Sequence, residues 1–354
     1  MNAKMNRITS IDALRAVVLL GILLVHINNG FGFHLDTSSI VGSLCKTAIA
    51  LFLSKRCASV FGILFGVSFY LILRKPNYSS WKFVWRCVLL IGIGIFNKIF
   101  YTWDALLWYG IWGAFLVPFR YLSLKKLWIV FVFFYIINLL ISNMADLSNF
   151  FFISYTSPYN RYSDGNTIAD VITYPIGNSI LDYIEHTIRG PLGTFVKFLL
   201  GYCIARSGII DNIESYSKLK FISLFAICYI VLALAGSFFG ISWLSSVSRL
   251  CGSICYAIIF LWLYYKKSSL FHFLEPYGKL GLTNYSFQGI IGVVICAVFL
   301  KPQGLTVEWL FVMMLGFYIF QVIFSIIWLK HYQHGPLEYL WRCATERKMF
   351  ANKK

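Results

Sequence analysis

Apolar residues run through this chain in long blocks separated by short polar junctions, without the strict alternation of a half-buried strand. Crossing a bilayer as a helix takes roughly 20 mostly apolar residues. Ten blocks approach that length: 13–33, 57–73, 83–100, 105–119, 127–144, 191–206, 219–240, 246–265, 280–300 and 306–329. The pattern predicts an all-α, polytopic integral membrane protein of about ten transmembrane helices, forming one domain over 1–354. The first block is too long for the apolar core of a signal peptide, and no small-residue cleavage site precedes it. It is expected to stay in the protein.

Composition sharpens this picture. Only 13% of the 354 residues are charged and 59% are hydrophobic, against about 25% charged in soluble domains. The net charge of +17 could suggest nucleic acid, but its distribution excludes that partner. With the N-terminus in the cytoplasm, the basic clusters fall on one side: Lys4/Arg7, Arg74/Lys75/Lys82/Arg86, Arg120/Lys125/Lys126, Lys218/Lys220, Lys266/Lys267 and the tail from Lys330 to Lys354. The other side receives most of the acids, including Asp36, Asp164, Asp170, Asp182 and Glu185. This is the positive-inside pattern, and it predicts that both termini are cytoplasmic. The nine cysteines sit mostly within spans, where they serve as small apolar residues. Cys251 and Cys255 share a helix face, but no histidine or carboxylate completes a metal set, so no metal site is expected.

Two outer connections stand out. Residues 34–56 lead into the second span and carry His34, Asp36, Lys55 and Arg56. Residues 145–190 include the turn-like NRYSDGN. Ile180, Leu181 and Ile184 there have the spacing of an interfacial helix. That connection is either a lid or a plain crossing. The turn TWDAL makes a hairpin of spans three and four, with Asp104 at its tip. Asp104 either caps the helix after it or lines a cavity.

The candidate chemistry lies in the first span, LRAVVLLGILLVH. Arg15 and His26 are eleven positions apart, about 20° past three full turns and roughly 16 Å along the axis. They share one face, with Asp12 and Asn28 near the two ends of the helix. Arginine at mid-bilayer costs at least ~2.5 kcal/mol, so this face is expected to meet a cavity or protein rather than lipid. Arg15 either snorkels or binds phosphate as a fork. His26 either makes an interhelical hydrogen bond or acts as base or acyl carrier.

Arginine, ten residues, then histidine in the first span resembles the signature of the membrane acyltransferase-three family, which O-acylates surface glycans. A fuller resemblance is to the YeiB-like family, domain of unknown function four-one-eight. It is carried by RITSIDALRAVVLLGILLVHI, SKRCASVFGILFGVSFYLILRK, WRCVLLIGIGIFNKIFYTWDALLWYGIWGAFLVPFR, GYCIARSGII, GKLGLTNYSFQ and HGPLEYLWR. These cover nearly the whole chain, with a C-terminal signature region at about 266–350. The chain departs from the family at three places. Ala16 replaces the usual glycine, His26 stands where relatives often carry asparagine, and Asn97 stands where the family usually has histidine. If the family's chemistry runs on that third-span histidine, either His26 substitutes for it here or the catalytic reading does not hold for this chain. His34 is a third choice, because the related lysosomal heparan-glucosaminide N-acetyltransferase uses a histidine at its luminal mouth.

The resemblance implies a multi-pass protein of the bacterial cytoplasmic (inner) membrane. It would move an acyl group, acetyl above all, from cytoplasmic acyl-CoA to an extracytoplasmic glycan or envelope small molecule. His26 and His34 are the catalytic choices. Arg15, Lys279, Trp341 and Arg342 would hold the donor, with Trp341 stacked on adenine. Asp12, Asn28, Asn97, Asp104, Asn284 and Gln288 would line the cavity. The bland alternatives are helix glue for Asn284 and Gln288 and an inner-leaflet anchor for the HGPLEYLWR helix. The competing function is a transporter or flippase without covalent chemistry. Oligomeric state is not legible in the sequence.

Overall fold

The computed structural model describes residues 8–28, 39–52, 56–75, 78–101, 104–143, 192–303 and 306–354. His34 and the 145–190 connection, with its expected interfacial helix, lie outside them. Among the described residues the chain is helical, with an isolated bridge pairing Tyr332 with Lys353.

The helices are α1 (Thr9–Asn28), α2 (Ile40–Phe52), α3 (Arg56–Leu73), α4 (Ser80–Phe100), α5 (Leu106–Phe115), α6 (Leu124–Asn143), α7 (Leu192–Arg206), α8 (Leu219–Phe238), α9 (Ser242–Lys266), α10 (Glu275–Lys279), α11 (Gly281–Gln303), α12 (Val307–His331) and α13 (Pro336–Glu346). Six are long and apolar enough to cross a membrane: α1, α3, α4, α8, α9 and α12. The expected edges shift. The first helix begins at Thr9 rather than 13. α5 has ten residues and tightens into a 3-10 turn at Val117–Tyr121, where Pro118 cannot continue an α-helix. The connector expected at 34–56 contains a further helix, α2. Ser39 starts it by accepting the Gly42 amide at 2.9 Å and donating to Glu308.

Why α1 is apolar all round becomes clear from its place. It is the most enclosed span, with 72% of its apolar stretch buried against 6% for α8. Helices α3, α9, α10, α11 and α12 pack around it. α8 instead shows Leu224, Ile227, Ile230, Val231 and Leu234 to the outside, and α12 shows Ile319, Phe320, Ile323 and Ile327. Such faces suit lipid, in keeping with helices long and apolar enough to cross a membrane.

Small residues set the closest crossings, since apolar burial gives no drive between helices already in lipid. On α3, a Cβ at Gly66 would stand 2.0 Å from the Phe198 carbonyl oxygen of α7. On α7, one at Gly201 would stand 1.9 Å from the Ile63 oxygen of α3. The short helix α10 uses the same device against α1: a Cβ at Gly278 would stand 1.8 Å from the Asp12 oxygen.

Candidate functional site

Two polar clusters form on α1. At its N-terminal end Arg15 donates to Asp12 Oδ1 at 2.6 Å and to Ser68 Oγ of α3 at 2.7 Å. The Arg15 side chain keeps 23% exposure while that of Asp12 keeps 5%. Asp12 is thus the more deeply buried partner of the pair. Gly278 presses α10 onto the backbone of Asp12, which brings Lys279, the next residue, to the same end of α1. Thr9 shares a hydrogen bond with Tyr264 and Ser10 one with Tyr265, each at 3.0 Å, tying this end to α9.

The second cluster surrounds His26, which is buried. Its ring centroid lies 4.7 Å from Tyr101 and 6.4 Å from Tyr285. Tyr285 Oη accepts the Ala105 amide at 3.0 Å. Asn97 donates to Asp104 Oδ2 at 3.1 Å and to Ser286 Oγ at 3.0 Å. Asp104 Oδ1 accepts the Leu106 amide at 2.8 Å, so it does cap α5 while also joining the cluster. Burial pushes the Asp104 carboxyl up to about 6, with the Asn97 and Leu106 hydrogen bonds pulling the other way. Asn97 and Asp104, predicted separately from the sequence, therefore meet, and His26 packs beside them against Tyr101 and Tyr285. Tyr101 and Ser286 complete the cluster. Neither was singled out in the sequence, because a tyrosine at a helix end and a serine within a span carry no distinctive pattern. Asn28 closes α1 two residues beyond His26.

Asn284 and Gln288 act chiefly as ties between helices. Asn284 Nδ2 donates to the Tyr277 oxygen at 3.0 Å and to Ser325 Oγ at 3.1 Å, and Gln321 donates to the Asn284 oxygen at 3.1 Å. Gln288 donates to Tyr277 Oη at 2.5 Å. Together they lock α10, α11 and α12.

The donor residues expected near the C-terminus make contacts of their own. The indole of Trp341 donates to the Arg86 oxygen at 2.9 Å, and the Arg86 guanidinium lies 3.7 Å from its ring. One face of the Trp341 ring is therefore covered by Arg86 of α4. Arg342 contacts His334 at 2.7 Å and lies over Phe350. Of the four expected donor residues, Arg15 and Lys279 come to one end of α1, while Trp341 and Arg342 serve the packing of α13.

Glu338 carries a role the sequence did not disclose. Its Oε1 accepts the Leu282 and Thr283 amides at 2.7 and 3.0 Å, capping α11 from a different helix. Thr283 Oγ1 in return accepts the Leu337 amide at 3.1 Å. Burial raises the Glu338 carboxyl and these hydrogen bonds lower it. Losing a cap costs about 0.5–2 kcal/mol. Glu338→Ala should therefore lower the thermal midpoint, and Glu338→Gln, which keeps an acceptor oxygen, should lower it less. Equal midpoints for Glu338→Ala and the unaltered protein would remove the capping role.

Residues 204–348 match the family described as "Protein of unknown function (DUF418)". Three curated relatives align over almost the full length. The "Uncharacterized 39.9 kDa protein in amylase 3'region" of Bacillus acidopullulyticus is 26% identical, covering 97% of this chain and 95% of the relative. YeiB of Escherichia coli K12 is 25% identical, covering 97% of each. YxaH of Bacillus subtilis 168 is 24% identical, covering 96% and 94%. No solved structure matches the chain.

Proposed function

We propose, for a chain that belongs to the YeiB-like DUF418 family, a multi-pass membrane acyltransferase that takes its acyl group from cytoplasmic acyl-CoA. It delivers that group to a glycan or envelope small molecule outside the membrane. In this reading it works in the bacterial cytoplasmic membrane, with which its apolar helices and bacterial relatives are consistent. One observation carries the reading. His26 and Asn97, the two positions at which the chain departs reciprocally from the YeiB-like pattern, belong to one cluster around Tyr101, Tyr285 and Asp104. The imidazole usual on the third span is replaced by one reaching the same cluster from the first. Arg15 lies on the same face of α1, roughly 16 Å nearer its N-terminus, a distance an extended pantetheine arm can bridge.

In this reading Arg15 and Lys279 meet donor phosphates. His26 takes the proton from an acceptor hydroxyl or amine as its oxygen or nitrogen attacks the thioester carbonyl carbon. The carbon–sulfur bond breaks, and the proton passes to the departing sulfur, leaving acylated acceptor and free CoA. Tyr285, held by the Ala105 amide, keeps its hydroxyl turned to the hairpin tip.

Arg15→Lys keeps the charge and loses the fork, so acyl-CoA affinity should fall for Arg15→Lys and fall further for Arg15→Ala. Equilibrium binding of acetyl-CoA to the purified protein measures this. Unchanged affinity in both variants would sink the donor site, and absence of any acetyl-CoA binding or turnover would favour a transporter.

Ten crossings with both termini cytoplasmic complete the proposal, supported by the one-sided basic clusters. Single cysteines introduced into a cysteine-free background should react at position 164 from outside and at position 348 from the cytoplasm. Labelling of position 164 only from the cytoplasm would reverse the topology.

A further inference from the structure

Where α4 begins and α13 ends, two helices are stitched together by a pair of indoles. Trp85 Nε1 donates to the Ala344 oxygen at 3.1 Å, as Trp341 does to the Arg86 oxygen. A guanidinium lies over each ring: Arg86 over Trp341, and Arg347 over Trp85, 5.5 Å from its centroid. Lys82 pairs with Glu346 across the same seam. Arg347 and the next residue, Lys348, are both exposed. Among the described residues, no ion pair takes up either of them.

Two independent observations bear on what these two cations meet. The first is the surface beside them. Trp81, Trp85, Val88, Ile95 and Phe96 are exposed, and their spacing puts them on one stripe of α4. Gly92 falls on the same stripe, and a Cβ there would meet no atom within 4 Å, so the stripe is open along its length. Phe96 and Trp85 are eleven positions apart, roughly 16 Å along the axis. One leaflet contributes about half of a ~30 Å hydrocarbon core. A lipid chain lying on the stripe therefore brings its headgroup to the level of Trp85, where Arg347 sits. Leu340, 59% exposed on α13, widens the apolar bed, and tryptophans are the residues that favour this depth.

The second observation is the backbone of Arg347. It closes α13 in the left-handed region at φ 51°, and the Lys348 amide donates back to the Cys343 oxygen at 3.2 Å. Glycine is the usual residue at such a helix end. A larger side chain held there is strained, and persists where its surroundings over-determine it. Contact with a partly exposed indole is a weak reason for arginine. The turn sets two consecutive cations at the head of the lipid-facing stripe.

We propose that Arg347 and Lys348, beside Trp81 and Trp85, bind the headgroup of one anionic phospholipid whose chain lies along α4. The guanidinium grips the phosphate as a fork and the ammonium adds a point charge. Each basic residue near an anionic lipid surface strengthens binding about fivefold. In the topology proposed above, the lipid belongs to the cytoplasmic leaflet. The site does not depend on the transferase reading, since none of its residues belongs to the clusters on α1.

The test reads lipid composition locally. Full-length protein in a cysteine-free background carries Leu340→Cys, labelled with a small fluorophore, in nanodiscs. Nitroxide-tagged phosphatidylglycerol or phosphatidylcholine is added at equal mole fraction, and quenching measures which lipid occupies the space beside the label. Ile227→Cys, on the outward face of α8, is the control position. Phosphatidylglycerol should be preferred at 340 by at least about fivefold, the effect of one basic residue, with no preference at 227. Arg347→Lys, which keeps the charge, should retain most of the preference. Arg347→Gly should cut it about fivefold, and Arg347→Gly with Lys348→Gln should bring the ratio near one. Glycine also relaxes the left-handed turn, so Arg347→Gly should melt no lower than the unaltered protein, which separates lost binding from lost folding. Equal quenching by the two lipids at 340, or a preference that survives in the double variant, would overturn the proposal. So would a label that neither lipid reaches, the result expected if a second copy of the chain covered this face. A markedly lower midpoint for Arg347→Gly would make Arg347 a structural cap and overturn it equally. Acyl transfer enters no arm, so the two readings fail separately.

Discussion

His26→Asn is expected to cut acyl transfer by about 10²–10⁴-fold, the usual contribution of a general base within reach of its proton. Folding and acetyl-CoA affinity should be retained. Asparagine fits the buried site beside Tyr101 and Tyr285 and keeps hydrogen bonding, but it has no basicity. The sharper form of the experiment relocates the imidazole. His26→Asn combined with Asn97→His restores the arrangement usual in the YeiB-like family, and both positions serve the same cluster. The double variant should regain much of the lost rate, and Asn97→His alone should have little effect on it. Transfer is measured as donor-dependent acylation by membranes or proteoliposomes. If His26→Asn keeps full activity, His26 is a packing residue, and His34 becomes the residue to replace.

The second large effect concerns the contact that holds the Arg15 end together. Gly278→Val should abolish recovery of monodisperse protein. A Cβ there would meet the Asp12 carbonyl oxygen at 1.8 Å, and this obstacle is backbone on the most enclosed helix, which cannot turn aside as a side chain can. Overpacking of cores typically costs 1–3 kcal/mol even where side chains can yield, a large share of the ~5–15 kcal/mol that holds a domain together. Gly92→Val is the control, since a Cβ at Gly92 meets no atom within 4 Å. Size-exclusion profiles of the two variants decide the matter. A well-folded Gly278→Val would mean that α10 does not rest on α1 as described.

Sequence alone determined the helices and the environment that suits them. A run of twenty apolar residues has one low-energy form in lipid, a helix with its backbone hydrogen bonds closed internally, so the segments from 57–73 to 306–329 reappear as helices with edges moved by a few residues. It also determined that Arg15 and His26 share a face, because helical periodicity is local. The connector helix α2 escaped notice. It is short, and its apolar residues Ile40, Val41 and Leu44 point outward, so no burial pattern marks it.

Only the tertiary structure decided which polar groups meet. Asn97 and Asp104 are neighbours across the tight hairpin, but Ser286 joins them from far along the chain, and nothing in its spacing encodes that meeting. Trp341 and Arg342 look available for a ligand when read along α13. Packing sets them against Arg86, His334 and Phe350, which their order along the helix does not disclose. Glu338 lies in the first turn of its own helix and caps α11. The physical reason is the same in each case. Apolar length and periodicity act within one segment, whereas a hydrogen bond or a charge contact depends on crossings set by small residues such as Gly66, Gly201 and Gly278, whose partners are chosen only when the helices pack.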